Sequence, residues 1–314
     1  MSKIYLIGIG GTLIPDLAIV LKENGCEEVI GVDEHISEEI RNRLDKAGIS
    51  YYTQWDAGHV DSDIDFVIPA PHIQADNPEI QQAENLKLQI VSIPEFVHYN
   101  TKGKTRLVVS GSKGKRSLMQ IIILVLKEKK ITFDYIISRP LPGIEKIAQF
   151  SDDNRVAIIE GDELISFPVK KKHKLEFYRP HIALLPNIQW TASNEFPSKE
   201  SYLKVFNDFI QTIERDGKFI YNEQDKILKE FSEKIREDIT AIPYTAHAVV
   251  KEGDTLMLDT RFGKYPIASG DDFFLENLNG ARNACKQLGI AEKDFYAAIS
   301  EISKSISFDC KTNI

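Results

Sequence analysis

The sequence predicts an α/β protein made of two successive parallel-sheet units. A Rossmann-like N-terminal unit is expected over residues 1–104, and a phosphate-loop α/β unit over residues 105–306. Three observations point there. Short apolar runs alternate with stretches of helical period through the first hundred residues. The first run leads straight into Gly8-Ile9-Gly10-Gly11-Thr12, a glycine turn of the kind that follows the first strand of a doubly wound sheet. A second start, Arg106-Leu107-Val108-Val109-Ser110, leads into Gly111-Ser112-Lys113-Gly114-Lys115-Arg116-Ser117 and then an apolar run over 118–126. That order is strand, anion-type loop and helix.

The elements follow in order. Residues 13–23 carry helical periodicity and close on Asn24-Gly25. Val29-Ile30-Gly31-Val32-Asp33 reads as a second strand with an acid at its end. Residues 38–47 read as a helix stopped by Gly48. Phe66-Val67-Ile68 and Gln89-Ile90-Val91-Ser92 read as further buried strands. Asn100-Thr101-Lys102-Gly103-Lys104 is polar and contains glycine, so a linker is expected. In the second unit, strands are predicted at 107–110, 156–160, 182–185 and 218–221. Tyr202, Val205, Phe206, Phe209, Ile210 and Ile213 recur at helical spacing and should face a core. Residues 239–267 alternate in short stretches and suggest an antiparallel extension. Residues 274–288 and 292–303 read as two closing helices, and 307–314 as a tail.

Composition narrows the function classes. The formal net charge is −8, which argues against a nucleic-acid partner. Cys26, Cys285 and Cys310 are too few and too scattered for a disulfide framework or a metal cluster. The chain opens directly into the Lys3-Ile4-Tyr5-Leu6-Ile7 strand, without a signal-peptide pattern. No apolar stretch is long enough to span a bilayer. The expectation is a cytoplasmic protein.

The central loop carries the sharpest chemistry. Gly111 and Gly114 let backbone N–H groups turn inward around an anion, and Lys115 is placed to reach a phosphate. A nucleotide-hydrolysing loop needs Ser or Thr directly after that lysine, because the hydroxyl ligates Mg²⁺. Arg116 stands there instead, a permanent cation. The strand 156–160 ends in Glu160-Gly161-Asp162-Glu163, acids of the sort that hold Mg²⁺ beside such a loop or form a solvated turn. Gly8-Ile9-Gly10-Gly11-Thr12, with Asp33 at the end of the next strand, reads either as a dinucleotide-type turn or as a tight turn without ligand. The third glycine position of the fingerprint is Leu13. His72 follows a strand and could line the first cleft, and Asn187 reads as a turn residue at the same sheet edge as the loop. Lys170-Lys171-Lys172-His173-Lys174 reads as a solvated basic loop.

Taken together, these segments resemble the Mur ligase family, the ATP-dependent ligases of peptidoglycan synthesis, and most of all its murein-peptide recycling branch. The resemblance runs from residue 1 to about 304. It rests on Gly8-Ile9-Gly10-Gly11, Ala75-Asp76-Asn77-Pro78-Glu79, the loop at 111–115, Glu160-Gly161-Asp162-Glu163, Tyr178-Arg179-Pro180-His181-Ile182-Ala183, Asn187-Ile188, Phe196-Pro197 and Glu276-Asn277-Leu278-Asn279-Gly280-Ala281-Arg282. It implies UDP-sugar binding, as of UDP-N-acetylmuramate, by Gly8, Gly10, Gly11 and Thr12, with Asp33 and His72 nearby. It also implies ATP binding by Gly111, Ser112, Lys113, Gly114, Lys115, Arg116 and Ser117 with Asn187 and Asn277. Lys115 and Glu160 would be the catalytic pair, with Glu160 the surviving Mg²⁺ ligand.

The chain departs from the family pattern where the chemistry lies. The family's loop Thr is Arg116. Its N-I-x-W-D-H segment reads Asn187-Ile188-Gln189-Trp190-Thr191-Ala192, without the Asp and His. Its adenine-side H-N-L-x-N segment reads Phe273-Phe274-Leu275-Glu276-Asn277, and no match to the third, C-terminal ligase domain is expected after residue 306. The favoured expectation is a degenerate ligase, a pseudoenzyme that keeps ligand binding, with a cell-wall enzyme as a candidate partner. The alternatives are an active ligase completed by a partner chain and an unrelated NAD enzyme.

Overall fold

The computed structural model describes residues 3–167, 172–267 and 269–308. The first sheet uses β1 (Lys3–Ile7), β2 (Glu28–Val32), β3 (Ser50–Tyr52), β4 (Phe66–Pro69) and β5 (Gln89–Ile90). Its order is β3-β2-β1-β4-β5, with every pairing parallel. The direction of winding therefore reverses between β1 and β4, and the glycine turn after β1 sits at that switch point. The intervening helices are α1 (Ile14–Glu23), α2 (Glu38–Ala47), α3 (Pro78–Asn85) and α4 (Ile93–Asn100). Gly48 ends α2 in the left-handed region, at φ 68°, as its position after the last periodic residue predicts.

The expected strand 89–92 is half as long. Ser92 leaves it to cap α4: its hydroxyl accepts from Glu95 N, while the Glu95 carboxylate accepts from Ser92 N. This reciprocal cap contributes on the order of 1 kcal/mol and outweighs the apolar strand signal. The expected linker is also folded. Thr101 is buried, and its hydroxyl donates to the Val97 carbonyl at 2.8 Å. The Lys104 ammonium is buried against Asp134 and donates to the Ser151 carbonyl. A buried charge of this kind is tolerated only when paired and hydrogen-bonded.

The second sheet begins with β6 (Thr105–Val109), followed by α5 (Lys115–Glu128). Next come β7 (Asp134–Ile136), β8 (Ala148–Gln149) and β9 (Val156–Glu160). A two-stranded ribbon, β10 (Ile165–Phe167) and β11 (Lys172–His173), precedes the short α6 (Leu175–Tyr178). The rest is β12 (Ile182–Leu185), α7 (Lys199–Gln211), β13 (Lys218–Asn222), α8 (Lys226–Glu233) and β14 (Thr240–Tyr244). The order is β14-β13-β12-β6-β9-β7-β8, with only β8 antiparallel. Helix α5 is buried from Ser117 through Leu126, because the sheet lies on one side and α9 (Asp272–Gln287) and α10 (Glu292–Ile302) on the other.

Two expectations change here. Residues 239–267 do not form one antiparallel unit: β14 joins the main sheet in parallel, and only β15 (Val249–Glu252), β16 (Thr255–Thr260) and β17 (Gly263–Ile267) form an antiparallel meander. The basic run is not a loop throughout. Lys172 and His173 pair as a strand, and Lys174 donates to Asp162 at 2.8 Å; Lys170 and Lys171 lie outside the described residues. The segment read as a tail begins packed, with Phe308 against Phe274 at 5.3 Å between ring centres. No helix among the described residues is long and apolar enough to cross a membrane.

Candidate functional site

Four neighbouring parallel strands, in the order β12-β6-β9-β7, end at one edge of the second sheet. This places the loop after β6 beside Asn187 after β12, Glu160 at the end of β9 and Ser138 after β7. The loop is held by its own chain. The Asn187 side chain accepts from Lys113 N at 3.0 Å and donates to the Lys113 carbonyl at 2.9 Å, while its carbonyl accepts from Ser112 N. Gly114 has φ +87°, and a Cβ there would lie 2.7 Å from Asn277 Oδ1, so only glycine can start α5 over this buried side chain. Asn187 and Asn277 thus touch the loop itself; neither lines the cavity that it encloses.

That cavity, of about 180 Å³, is lined by residues 112–117, Ser138, Arg139, Glu160 and Phe273. Lys113, Lys115, Arg116 and Arg139 bring four cations to it, against the single carboxylate of Glu160. Both Glu160 oxygens are engaged: Ser138 N donates to Oε2 at 2.8 Å, and the Ser138 hydroxyl lies 3.1 Å from Oε1. The Ser117 hydroxyl is buried without a hydrogen-bond partner. Phe273 faces this cavity, whereas Phe274 lies in the core.

A Mg²⁺ ion needs several free oxygens in near-octahedral array. Glu160 is committed to Ser138, the hydroxyl position after Lys115 is Arg116, and no group of three metal-ligating side chains exists among the described residues. These residues do not fit a resident magnesium. They do fit a phosphate-type anion, because the start of a 14-residue helix and surrounding cations converge.

A second cavity, of about 380 Å³, adjoins the first and shares Lys115, Ser138 and Glu160 with it. Gly11, Thr12 and His72 come to it from the first sheet, and Asp162, Lys174 and Tyr178 from the second. Ile14, Ile93, Ile136 and Ile137 supply apolar wall. Tyr178 is buried, and that burial, with Asp162 and Glu160 nearby, raises its phenol well above the ordinary value. Gly8, Gly10 and Asp33 do not line this cavity. The Asp33 carboxylate accepts from Gly10 N and from His35 N, each at 2.9 Å, so it braces the glycine turn. Sequence reasoning missed Ser138 and Arg139. Their signal was their position directly after the apolar Tyr135-Ile136-Ile137.

Comparison with known families decides the assignment. The model described as "Mur ligase family, catalytic domain" matches residues 3–105, and the "Mur ligase middle domain" model matches 109–260. The chain belongs to the Mur ligase family. Among curated relatives, the UDP-N-acetylmuramate--L-alanine ligase of Desulforamulus reducens is 23% identical over 279 residues, covering 89% of this chain and 57% of that protein. The UDP-N-acetylmuramate--L-alanyl-gamma-D-glutamyl-meso-2,6-diaminoheptandioate ligase of Escherichia coli is 24% identical over 229 residues, covering 73% of this chain and 50% of that protein. The chain therefore spans about half the length of the curated relatives it matches. Among solved structures, the UDP-N-acetylmuramate:L-alanyl-gamma-D-glutamyl-meso-diaminopimelate ligase from Neisseria meningitides superposes with a TM-score of 0.83 at 22% identity, covering 96% of this chain and 98% of that one. A murein peptide ligase from Psychrobacter arcticus gives a TM-score of 0.80 at 20% identity, covering 96% and 68%. These likenesses establish the Mur ligase fold, with its Rossmann-like and central α/β parts.

Proposed function

We propose that this Mur-ligase-type chain binds a UDP-muramyl sugar at its glycine-turn end and a polyphosphate anion at its central loop, without joining substrates itself. One observation carries the reading: Glu160 is tied by two donors of Ser138 while Arg116 and Arg139 face the same cavity. The cavity is thereby built for negative charge and against a metal-bound nucleotide. Loss of the metal hydroxyl and of an Asp-His pair at Thr191 and Ala192 removes positioning that phosphoryl transfer requires. The names of the relatives support UDP-N-acetylmuramate as the sugar ligand, with Thr12 and His72 at the wall it would meet.

A second reading is an ATP-dependent ligase completed by a partner chain. The buried, unpartnered Ser117 hydroxyl favours it, since this group could replace the missing metal ligand. The two readings part in one experiment. Calorimetric titration with UDP-N-acetylmuramate and with tripolyphosphate, with and without Mg²⁺, is paired with an assay for ADP and ligated product in the presence of the tripeptide. Metal-independent anion binding without turnover is expected. Turnover on the order of one per second would overturn the first reading and establish the second.

A further inference from the structure

Lys115, the lysine of the loop, leans towards a carboxylate that lines neither cavity. Its Nζ lies 3.8 Å from Glu163 Oε2, with the two side chains 17% and 18% exposed. Glu163 is itself fixed. The Tyr202 hydroxyl donates to Glu163 Oε1 at 3.2 Å, and Gln189 N donates to the Ser112 hydroxyl at 2.7 Å. Ser112 and Tyr202 are 2.9 Å apart, oxygen to oxygen. With the Tyr202 proton spent on Glu163, the Ser112 hydrogen is the one that joins them. The donors therefore run one way, from Gln189 through Ser112 and Tyr202 to Glu163, and the last member faces Lys115.

The chain is rigid at its middle. Phe196 and Phe206 pack edge-on against the Tyr202 ring, with centres 5.0 and 5.1 Å away. Burial and the Glu163 charge raise the Tyr202 phenol, so it stays protonated and keeps donating. Glu163 Oε2 is buried and has no hydrogen-bond partner. The Lys115 ammonium is the cation that compensates it.

We propose that Glu163 is a positioning residue that holds Lys115 in reserve, so that an incoming phosphate-type anion must draw the ammonium away from it. Drawing it away leaves Glu163 Oε2 uncompensated. That cost falls on every anion that recruits Lys115, so Glu163 lowers the affinity of the loop and leaves the ammonium to anions charged enough to win it. This inference rests on the reading of the loop as an anion site.

The test uses the full chain with Glu163→Gln, which keeps an acceptor for Tyr202 but removes the charge. Inorganic phosphate and tripolyphosphate are titrated into both proteins. Acylation of the Lys115 amine by a soluble acylating reagent is followed by peptide mass spectrometry without any anion. Both anions should bind more tightly in the variant, tripolyphosphate by about fivefold, the scale of a partly screened ion pair, and phosphate by no more than that. Lys115 should acylate faster, with Lys113 unchanged. In a Lys115→Gln background, Glu163→Gln should bring no gain.

Unchanged affinities with unchanged acylation would overturn the proposal. So would a gain that persists without Lys115, since removal of a distant charge would then explain it. If no anion binds to any variant while Lys115 acylation rises in Glu163→Gln, the tether stands and the anion-site reading falls.

Discussion

Asn187 grips the main chain of Lys113 from both sides: its side-chain oxygen accepts from the Lys113 N–H, and its side-chain nitrogen donates to the Lys113 carbonyl. A strand end thereby sets the shape of a loop that lies 74 residues earlier in the chain. The four cations of the loop cavity converge only while that shape holds.

Replacing Asn187 by Ala should therefore cost both stability and binding. Two partners on Lys113 lose their mates, which costs roughly 1–3 kcal/mol. Chemical denaturation should register that loss, and tripolyphosphate affinity should fall with it. Asn187→Asp keeps the acceptor and loses the donor, so its effect should lie between wild type and Ala. Unaltered stability in Asn187→Ala would contradict the clamp.

Gly10 is confined by its own chain. A Cβ there would lie 2.1 Å from the His35 carbonyl oxygen and 2.9 Å from Asp33 Oδ2. Its N–H is already given to Asp33. Gly10→Ala should destabilise the protein without any ligand, by about 1–3 kcal/mol as for other overpacked sites. A competing reason is that bulk there would block backbone approach to a diphosphate. A melting temperature equal to wild type, combined with lost sugar binding, would restore that explanation.

Arg139 is exposed and makes no hydrogen bond or ion pair with the described residues, yet it lines the loop cavity. Arg139→Ala should leave the melting temperature unchanged and weaken tripolyphosphate binding about tenfold, the scale of one charge-assisted contact. The wild-type affinity should be the same with Mg²⁺ or with a chelator. Binding that requires Mg²⁺ and disappears in Glu160→Ala would refute this and support the nucleotide-metal reading.

Three histidines give the protein an acid-sensitive stability. Burial, the largest cause in each case, holds His98, His181 and His247 below the ordinary imidazole value. Arg106 adds to the effect at His98 and His181, and Arg282 at His247. His181 Nδ1 accepts from Arg106 N, which requires that nitrogen to be unprotonated. With the folded values depressed, the unfolded chain binds protons first as pH falls below about 6.5. Stability present above that pH should decline steadily as the folded values are approached. Denaturant midpoints measured between pH 8 and 5 should show it, and His247→Gln should flatten the slope. A midpoint independent of pH in that window would rule the histidines out.

Much of the fold was legible locally. The apolar runs at β1, β2, β4, β6, β9 and β12, the stop of α2 at Gly48, and the period of α7 and α9 each depend on near neighbours in the chain. The loop at 111–117 was legible for the same reason, because a strand, two glycines, a lysine and a helix start are all encoded within one short segment. Ser92 misled because its cap competes with an apolar strand signal over the same four residues. Lys104 misled because its partner Asp134 is 30 residues away.

The sequence by itself determined the family, the order of the strands and helices it named, and a strand, glycine loop and helix start with Arg116 directly after the loop lysine. Only the tertiary structure decided what surrounds that loop. Strand order placed β9 and β7 beside β6, so Glu160 met Ser138 and the cavity gained Arg139. Helix α7 brought Tyr202 to Glu163 and Ser112, and Asn187 and Asn277 became supports of the loop. Such contacts join residues far apart in the chain, and side-chain partners at that separation are fixed by sheet order and helix packing, which short-range periodicity does not encode.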